Sequence, residues 1–331
     1  ILKNIDIFDC TVGVDVDQAS TYINDLNFWT NDIGLKLNRC YGGEVINCNQ
    51  TLTRIPNVGF KILNSSHIQF DNNYIIGEQD NLFSNCHNLK MNNCTIDHFT
   101  FNAVRKSSFS ENTFEVLNNE AHGIIAGGND NVFECNYYFS LVGDALVNDN
   151  SPDNTFRCNE FEGFSAGMVF EGNSVGSDFE TNSFNSANIG LYLKGSDPEI
   201  GIQTDKGNLF TGMYNEIGAL NENQEYENSL FINNSQTVFN PSHTPTEWFR
   251  QNSPNVADVC GNSCLNGPGD NIVSWVGEQY SKCLDSLFYG SKFSSLSTKA
   301  KWNLLFIMYR KNYLRDTTLL NNRECLKSTK I

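Results

Sequence analysis

Phe156-Arg157-Cys158-Asn159-Glu160-Phe161 and Phe179-Glu180-Thr181-Asn182-Ser183-Phe184 share one pattern, apolar-x-x-Asn-x-aromatic, 23 residues apart. The pattern also stands at Phe109/Asn112/Phe114 and Phe133/Asn136/Tyr138. Earlier in the chain cysteine takes the Asn slot, at Ile7/Cys10/Val12, Val45/Cys48 and Met91/Cys94/Ile96, with Asn72-Asn73-Tyr74 between them. A side-chain type that returns at a near-constant interval marks stacked coils, in which equivalent residues of neighbouring coils lie above one another. Stacked Asn side chains hydrogen-bond along the stack and satisfy buried backbone groups, while cysteine in that slot acts as a small hydrophobe. Cys10, Cys48 and Cys94 are therefore predicted to be structural thiols. Cys135 and Cys158, one coil apart beside the Asn ladder, fit either stacked thiols or a bridge.

A second series places a conformationally tolerant residue before an apolar one. It runs Gly13-Val14, Gly34-Leu35, Gly59-Phe60, Asn81-Leu82, Asn102-Ala103, Gly123-Ile124, Ala145-Leu146, Gly167-Met168 and Gly190-Leu191. Its steps of 21, 25, 22, 21, 21, 22, 22 and 23 residues give a coil of about 22. Gly and Asn enter the left-handed region at least cost, so a recurring left-handed bend is predicted there, with Ala145 the departure. Each unit holds short runs of apolar/polar alternation, and no helical period appears before residue 200. The expected fold is all-β, a right-handed parallel β-helix over residues 1–239. About ten coils at about 4.8 Å per rung span about 50 Å.

The character of the sequence changes at residue 240. Pro241, Pro245, Pro254 and Pro268 mark residues 240–269 as an irregular Pro/Cys-containing connector. Within it, Cys260 and Cys264 are read as a local disulfide rather than half of a zinc site, since no second close Cys/His pair accompanies them. Beyond it, Ile272, Trp275, Val276, Gln279 and Tyr280, then Trp302, Leu305, Phe306, Tyr309 and Tyr313, recur at three and four. That spacing predicts a helical segment over residues 270–331.

Charge limits the partners. Lys and Arg total 22 against 38 Asp and Glu, a formal charge of -16 that repels phosphate backbones and anionic lipid heads. Nucleic acid is thereby disfavoured, while neutral glycans, cations and basic protein patches stay open. No apolar run is long enough for a transmembrane segment. The chain opens at Ile1-Leu2-Lys3 in a strand-like pattern without a signal peptide, and is read as a fragment.

On its Cys-Asn-x-Phe units (Cys158-Asn159-Glu160-Phe161, more loosely Cys135-Asn136) and its Gly-apolar series, the chain resembles the secreted right-handed parallel β-helix repeat proteins of Bacteroidota, within the pectin-lyase-like superfamily. Asp205-Lys206-Gly207-Asn208 before a final coil and the Pro/Trp-Phe/Cys stretch from Pro245 to Cys264 add to the likeness, which covers most of residues 1–265. It implies a secreted or cell-surface location. Relatives with lyase or hydrolase activity use clustered acids, calcium ligands and a basic residue on one outer face.

Two charged groups are candidates for ligand binding. Asp15, Lys36 and Lys61 occupy the middle of the Gly-apolar-x-apolar unit in three successive coils, where a carboxylate beside two ammonium groups would suit a uronate; a solvated face with one salt bridge is the other reading. Asp144, Asp149 and Asp153 with Arg157 would suit calcium and an anionic sugar, and calcium is the one cofactor the sequence suggests; the same residues also have the composition of a turn. The five histidines show no metal-ligand spacing. Followed past Lys61, the outward slot is read as apolar at Phe83, Val104, Ile125, Val147, Val169 and Tyr192, a contact face that either the helices of residues 270–331 or a partner would cover. The functional expectation is an exported, non-catalytic scaffold presenting an elongated surface to polysaccharide or another surface protein. A polysaccharide lyase or glycoside hydrolase, and a structural spacer of a larger surface protein, are the alternatives.

Overall fold

The structure is a computed structural model that describes most of residues 1–222, leaving out 30, 51–57, 78, 80, 117–122, 141–142, 164, 185–187, 205–207 and 211–216. Beyond these it describes residues 231–233, 249–251 and 260. The chain divides into two compact units, Ile1–Pro268 and Gly269–Ile331. The helical segment expected over 270–331, and with it the proposed covering of the apolar face, lies outside the described residues.

The first unit is an all-β parallel solenoid. Among the described residues one sheet takes a strand from each successive coil, ten in chain order from Val12–Asp17 to Ile217–Asn221, every neighbouring pair parallel. A second sheet of 17 strands is made of two columns, one running through Ser66–Asp71, Lys90–Asn92 and Ser108–Ser110, the other through Tyr74–Ile75, Thr95–Asp97 and Thr113–Val116. Leu2–Phe8 and Thr21–Trp29 each span both columns as one strand. A third set pairs Gln203–Thr204, Phe231–Asn233 and Phe249–Gln251 in parallel, so a strand stands inside the stretch expected to be irregular.

The Asn ladder is the internal seam of the stack. Asn136 Oδ1 accepts from the backbone N–H of Asn112 at 2.9 Å, and Asn136 Nδ2 donates to Phe109 O at 2.9 Å and to Asn159 Oδ1 at 3.1 Å. Asn159, Asn182 and Asn208 repeat the arrangement. Cysteine does the same with softer bonds: the Asn73 N–H donates to Cys94 Sγ at 3.4 Å, and Cys94 Sγ donates to Asn92 O at 3.3 Å. Beside the ladder the rings stack, Phe109 on Phe133 at 4.8 Å and Phe114 on Tyr138 at 4.8 Å, giving the core its offset-parallel order. Asn136→Ala strands a buried N–H and a buried carbonyl and is expected to cost about 3 kcal/mol. Asn136→Cys is expected to lose distinctly less, because a thiol in this slot both donates and accepts. Urea midpoints of the two variants check the order, and equal losses would count against a hydrogen-bonding role for the slot.

Cys10 does not belong to this seam. It is exposed, and its N–H donates to Asn31 Oδ1 at 2.9 Å at a different corner of the coil. A further ladder, not legible as a repeat, runs through Leu89, Ser107, Asn131 and Asn154 at another corner: Leu89 N–H donates to Ser107 Oγ at 3.0 Å, Ser107 N–H to Asn131 Oδ1 at 3.1 Å, and Asn131 N–H to Asn154 Oδ1 at 3.0 Å.

The left-handed bends fall elsewhere than the Gly-apolar series predicts. Gly13, Gly34 and Gly59 have no positive φ, and glycine is required there because backbones and side chains crowd the position. A Cβ on Gly34 would sit 2.8 Å from Gly59 O and 2.7 Å from Gln50 Nε2. The bends are carried by other residues just outside the strands, among them Asn72, Asn93, Cys135 and Cys158 at one corner, with φ of 53°, 51°, 56° and 56°. At a second corner Asn64, Asn85 and Ala103 do the same.

Strand register corrects the predicted contact face. The outward column of the ten-stranded sheet runs Asp15, Lys36, Lys61, Leu82, Thr100, Ile124, Val147, Val169, Tyr192, Leu220. Phe83 and Ile125 pair instead into the inward column with Ile62 and Phe101 and are fully buried. Val104, after the left-handed Ala103, is fully buried in the core as well. The cause is uneven coil length: Leu82 pairs with Lys61, 21 residues back, and with Thr100, only 18 residues on, while Thr100 pairs with Ile124, 24 further on. Alignment by a constant period therefore slipped by one residue, which turns a strand's side chains to the opposite face. Val147, Val169 and Tyr192 do lie in the outward column. There Val147 and Val169 are buried in a small cluster with Ala166 and Ile189, against which Tyr192 and Leu220 pack.

Candidate functional site

The register brings the first candidate group together. Asp15, Lys36 and Lys61 stand on three neighbouring strands, and Lys36 Nζ lies 2.8 Å from Asp15 Oδ2. Asp15 is about half exposed and Lys36 about a third, and ion pairs this open to water contribute little.

The second group is not assembled. Asp149 ends a strand of the ten-stranded sheet and accepts from Asn150 Nδ2 at 2.7 Å. Arg157 belongs to the other sheet, paired in register with Glu134 and bound to its carboxylate at 2.8 Å, which holds the guanidinium above its usual range. Asp153 occupies a left-handed bend, and Asp144 acts on Tyr192, helping burial and Glu222 to raise that phenol. Among the described residues no three His, Cys, Asp or Glu side chains gather as metal ligands.

The cysteines divide sharply. Cys158 is bonded to Cys260, 102 residues away, and Cys135 is also oxidised. The local Cys260–Cys264 bridge is thereby excluded, and Cys135 and Cys158 are not bonded to each other. Both project from the left-handed corner, outside the seam where Asn136 and Asn159 point inward. Cys40, Cys48, Cys86 and Cys94 are reduced and buried.

A groove that no sequence motif announced lies on the outer face of the 17-stranded sheet. It has a volume of about 500 Å³ and is lined by Thr21, Tyr22, Gly43, Glu44, His67, Ile68, Gln69, Asn88 and Lys90. Four of these form one outward column across successive coils: Tyr22 pairs with Glu44, Glu44 with Gln69, and Gln69 with Lys90. Gly43 is required because the paired strand crowds it, a Cβ there meeting Thr21 Oγ1 at 2.4 Å. At the rim His67 packs against Tyr41 with ring centroids 4.8 Å apart and against His87 at 5.8 Å. Asn88 Nδ2 lies 3.2 Å from His67 Nε2, so the amide donates and the imidazole carries its proton on Nδ1 when neutral. Tyr22, Glu44 and Lys90 are exposed, and their side chains make no hydrogen bond or ion pair within the described structure.

The face continues beyond the groove as a second polar column, Asp71, Asn92, Ser110, Glu134, Arg157 and Glu180. Asn92 Nδ2 donates to Asp71 Oδ1 at 2.9 Å and Ser110 Oγ to Asn92 Oδ1 at 2.6 Å, so these side chains are tied to one another from coil to coil. Sequence reasoning missed the groove because its residues are ordinary polar and aromatic types 21 to 25 positions apart, and only correct register shows that they coincide.

Fold and surface together define a parallel β-solenoid with one extended polar outer face. No protein-family model matches the sequence, and no curated protein matches it.

Proposed function

We propose that this is an exported β-helix scaffold of the pectin-lyase-like kind, akin to the secreted Bacteroidota repeat proteins, that presents an elongated surface for contact with carbohydrate or another surface protein. The observation that carries the reading is the outer face of the 17-stranded sheet, where in-register polar columns lead from a groove whose exposed Tyr22, Glu44 and Lys90 have no polar side-chain partner among the described residues. A rigid ladder of polar groups at a fixed spacing is suited to a repetitive ligand, because each coil offers the next unit a similar position. Export is supported by the Cys158–Cys260 and Cys135 disulfides, which persist in oxidising compartments. The negative charge of the chain further favours uncharged glycans over nucleic acid.

The test is retention on an array of immobilised polysaccharides, with the oxidised chain as probe and the reduced, unfolded chain as control. Binding to a restricted set of glycans by the folded chain alone is the expected result. No retention on any of them would remove the carbohydrate reading.

A further inference from the structure

We infer that the groove from Tyr22 to Lys90 binds a neutral oligosaccharide lying along the stacking direction of the coils, an inference that rests on the surface-contact reading above. Its dimensions suit such a ligand. From Tyr22 through Glu44 and Gln69 to Lys90 are three rung steps, about 14 Å in all, and each step is comparable with one pyranose unit of an extended chain. The chemistry suits it as well. Saccharides present apolar C–H faces and rings of hydroxyls, and the groove offers the exposed Tyr22 ring for the former.

For the hydroxyls the groove supplies both donors and acceptors. Glu44 accepts, Lys90 donates, Gln69 keeps its Oε1 while its Nε2 is held by Asp71 at 2.5 Å, and Asn88 keeps its Oδ1 while its Nδ2 is held by His67. Two of the four groups are thus fixed in place by neighbours before any ligand arrives, which reduces the ordering cost of binding.

Other ligands fit less well. A polyanionic glycan would meet Glu44 inside the groove and a chain of charge -16 around it. A peptide adding as a β-strand needs a free sheet edge, but Tyr41–Ile46 and Ser66–Asp71, which form the floor, are hydrogen-bonded to each other, and Tyr41–Ile46 also to Thr21–Trp29 and Ser66–Asp71 also to Lys90–Asn92.

The experiment is calorimetric titration of the oxidised chain with linear neutral hexasaccharides, β-linked glucan, mannan and xylan fragments, and with a hexagalacturonate. Wild type, Tyr22→Ala, Lys90→Ala and, as a remote control on the other sheet, Lys194→Ala are compared, with circular dichroism verifying the fold of each. Binding of at least one neutral hexasaccharide, weakened about tenfold by Tyr22→Ala and by Lys90→Ala but not by Lys194→Ala, is expected. Neutral binding that survives both groove substitutions would overturn the groove assignment while leaving the carbohydrate reading intact. Tighter binding of the hexagalacturonate would overturn the neutral class. No saccharide bound by wild type would overturn the inference together with the reading on which it rests.

Discussion

Replacing both cysteines of the 158–260 bridge by serine is expected to destabilise the solenoid by about 4–5 kcal/mol, one of the two largest effects foreseen for this chain. The bond closes a loop of 102 residues, and in the chain-entropy account the loss of unfolded-state freedom grows with the logarithm of the loop. The attachment point sharpens the expectation. Cys158 sits in a left-handed corner directly before Asn159, whose side chain bonds the coils on either side. Cys260 Sγ lies 3.3 Å from Thr181 O at the same corner one coil further on, so the bridge spans the edge of the seam. Urea denaturation of the Cys158→Ser/Cys260→Ser variant, read by tryptophan fluorescence and far-ultraviolet circular dichroism, measures the loss. An unchanged midpoint would show that the bridge only decorates a stack already stable without it.

Between pH 8 and 10.5 the protein is expected to lose roughly 5 kcal/mol through three buried thiols. Burial pushes Cys48 and Cys86 up to about 11 and Cys94 up to about 12, against an ordinary thiol value of 9.0. The sign follows from proton uptake. Above pH 9 the unfolded chain releases protons that the folded chain still holds, so the unfolded state gains relative to the native one. The contribution is whole below pH 9 and disappears as pH rises through the folded-state values. Burial likewise raises Tyr137 and Tyr138 well above the usual phenol range, Tyr137 helped by Glu162, and both add their own loss above pH 10. Stability measured across this range in wild type and in a Cys48→Ala/Cys86→Ala/Cys94→Ala variant separates the two: the variant should hold its stability between pH 9 and 10 and fall only beyond. Equal slopes in both proteins would mean that these thiols ionise freely in the native state.

The two effects concern cysteines that look alike in the sequence. Cys94 and Cys158 each follow a short strand, yet Cys94 replaces Asn in the buried seam and Cys158 occupies the half-buried left-handed bend one residue before it. That single step decides between a protonated structural thiol and an oxidised bridge. The same kind of step moved Phe83 and Ile125 from a predicted outer face into the core, and it concealed Tyr22, Glu44, Gln69 and Lys90 as one line.

By itself the sequence determined the all-β repeat, the parallel stacking and the Asn/Cys seam, because these rest on local periodicity: a side chain that must hydrogen-bond its own counterpart in the next coil has to recur at the coil length. Three features were decided by tertiary structure. Coil length varies from 18 to 28 residues, so which residues coincide depends on how each corner closes around the core. Cys158 finds Cys260 because the later chain returns to that corner, which spacing does not encode. The groove exists because four unremarkable side chains, each separated from the next by a whole coil, share one outward column once the strands are in register.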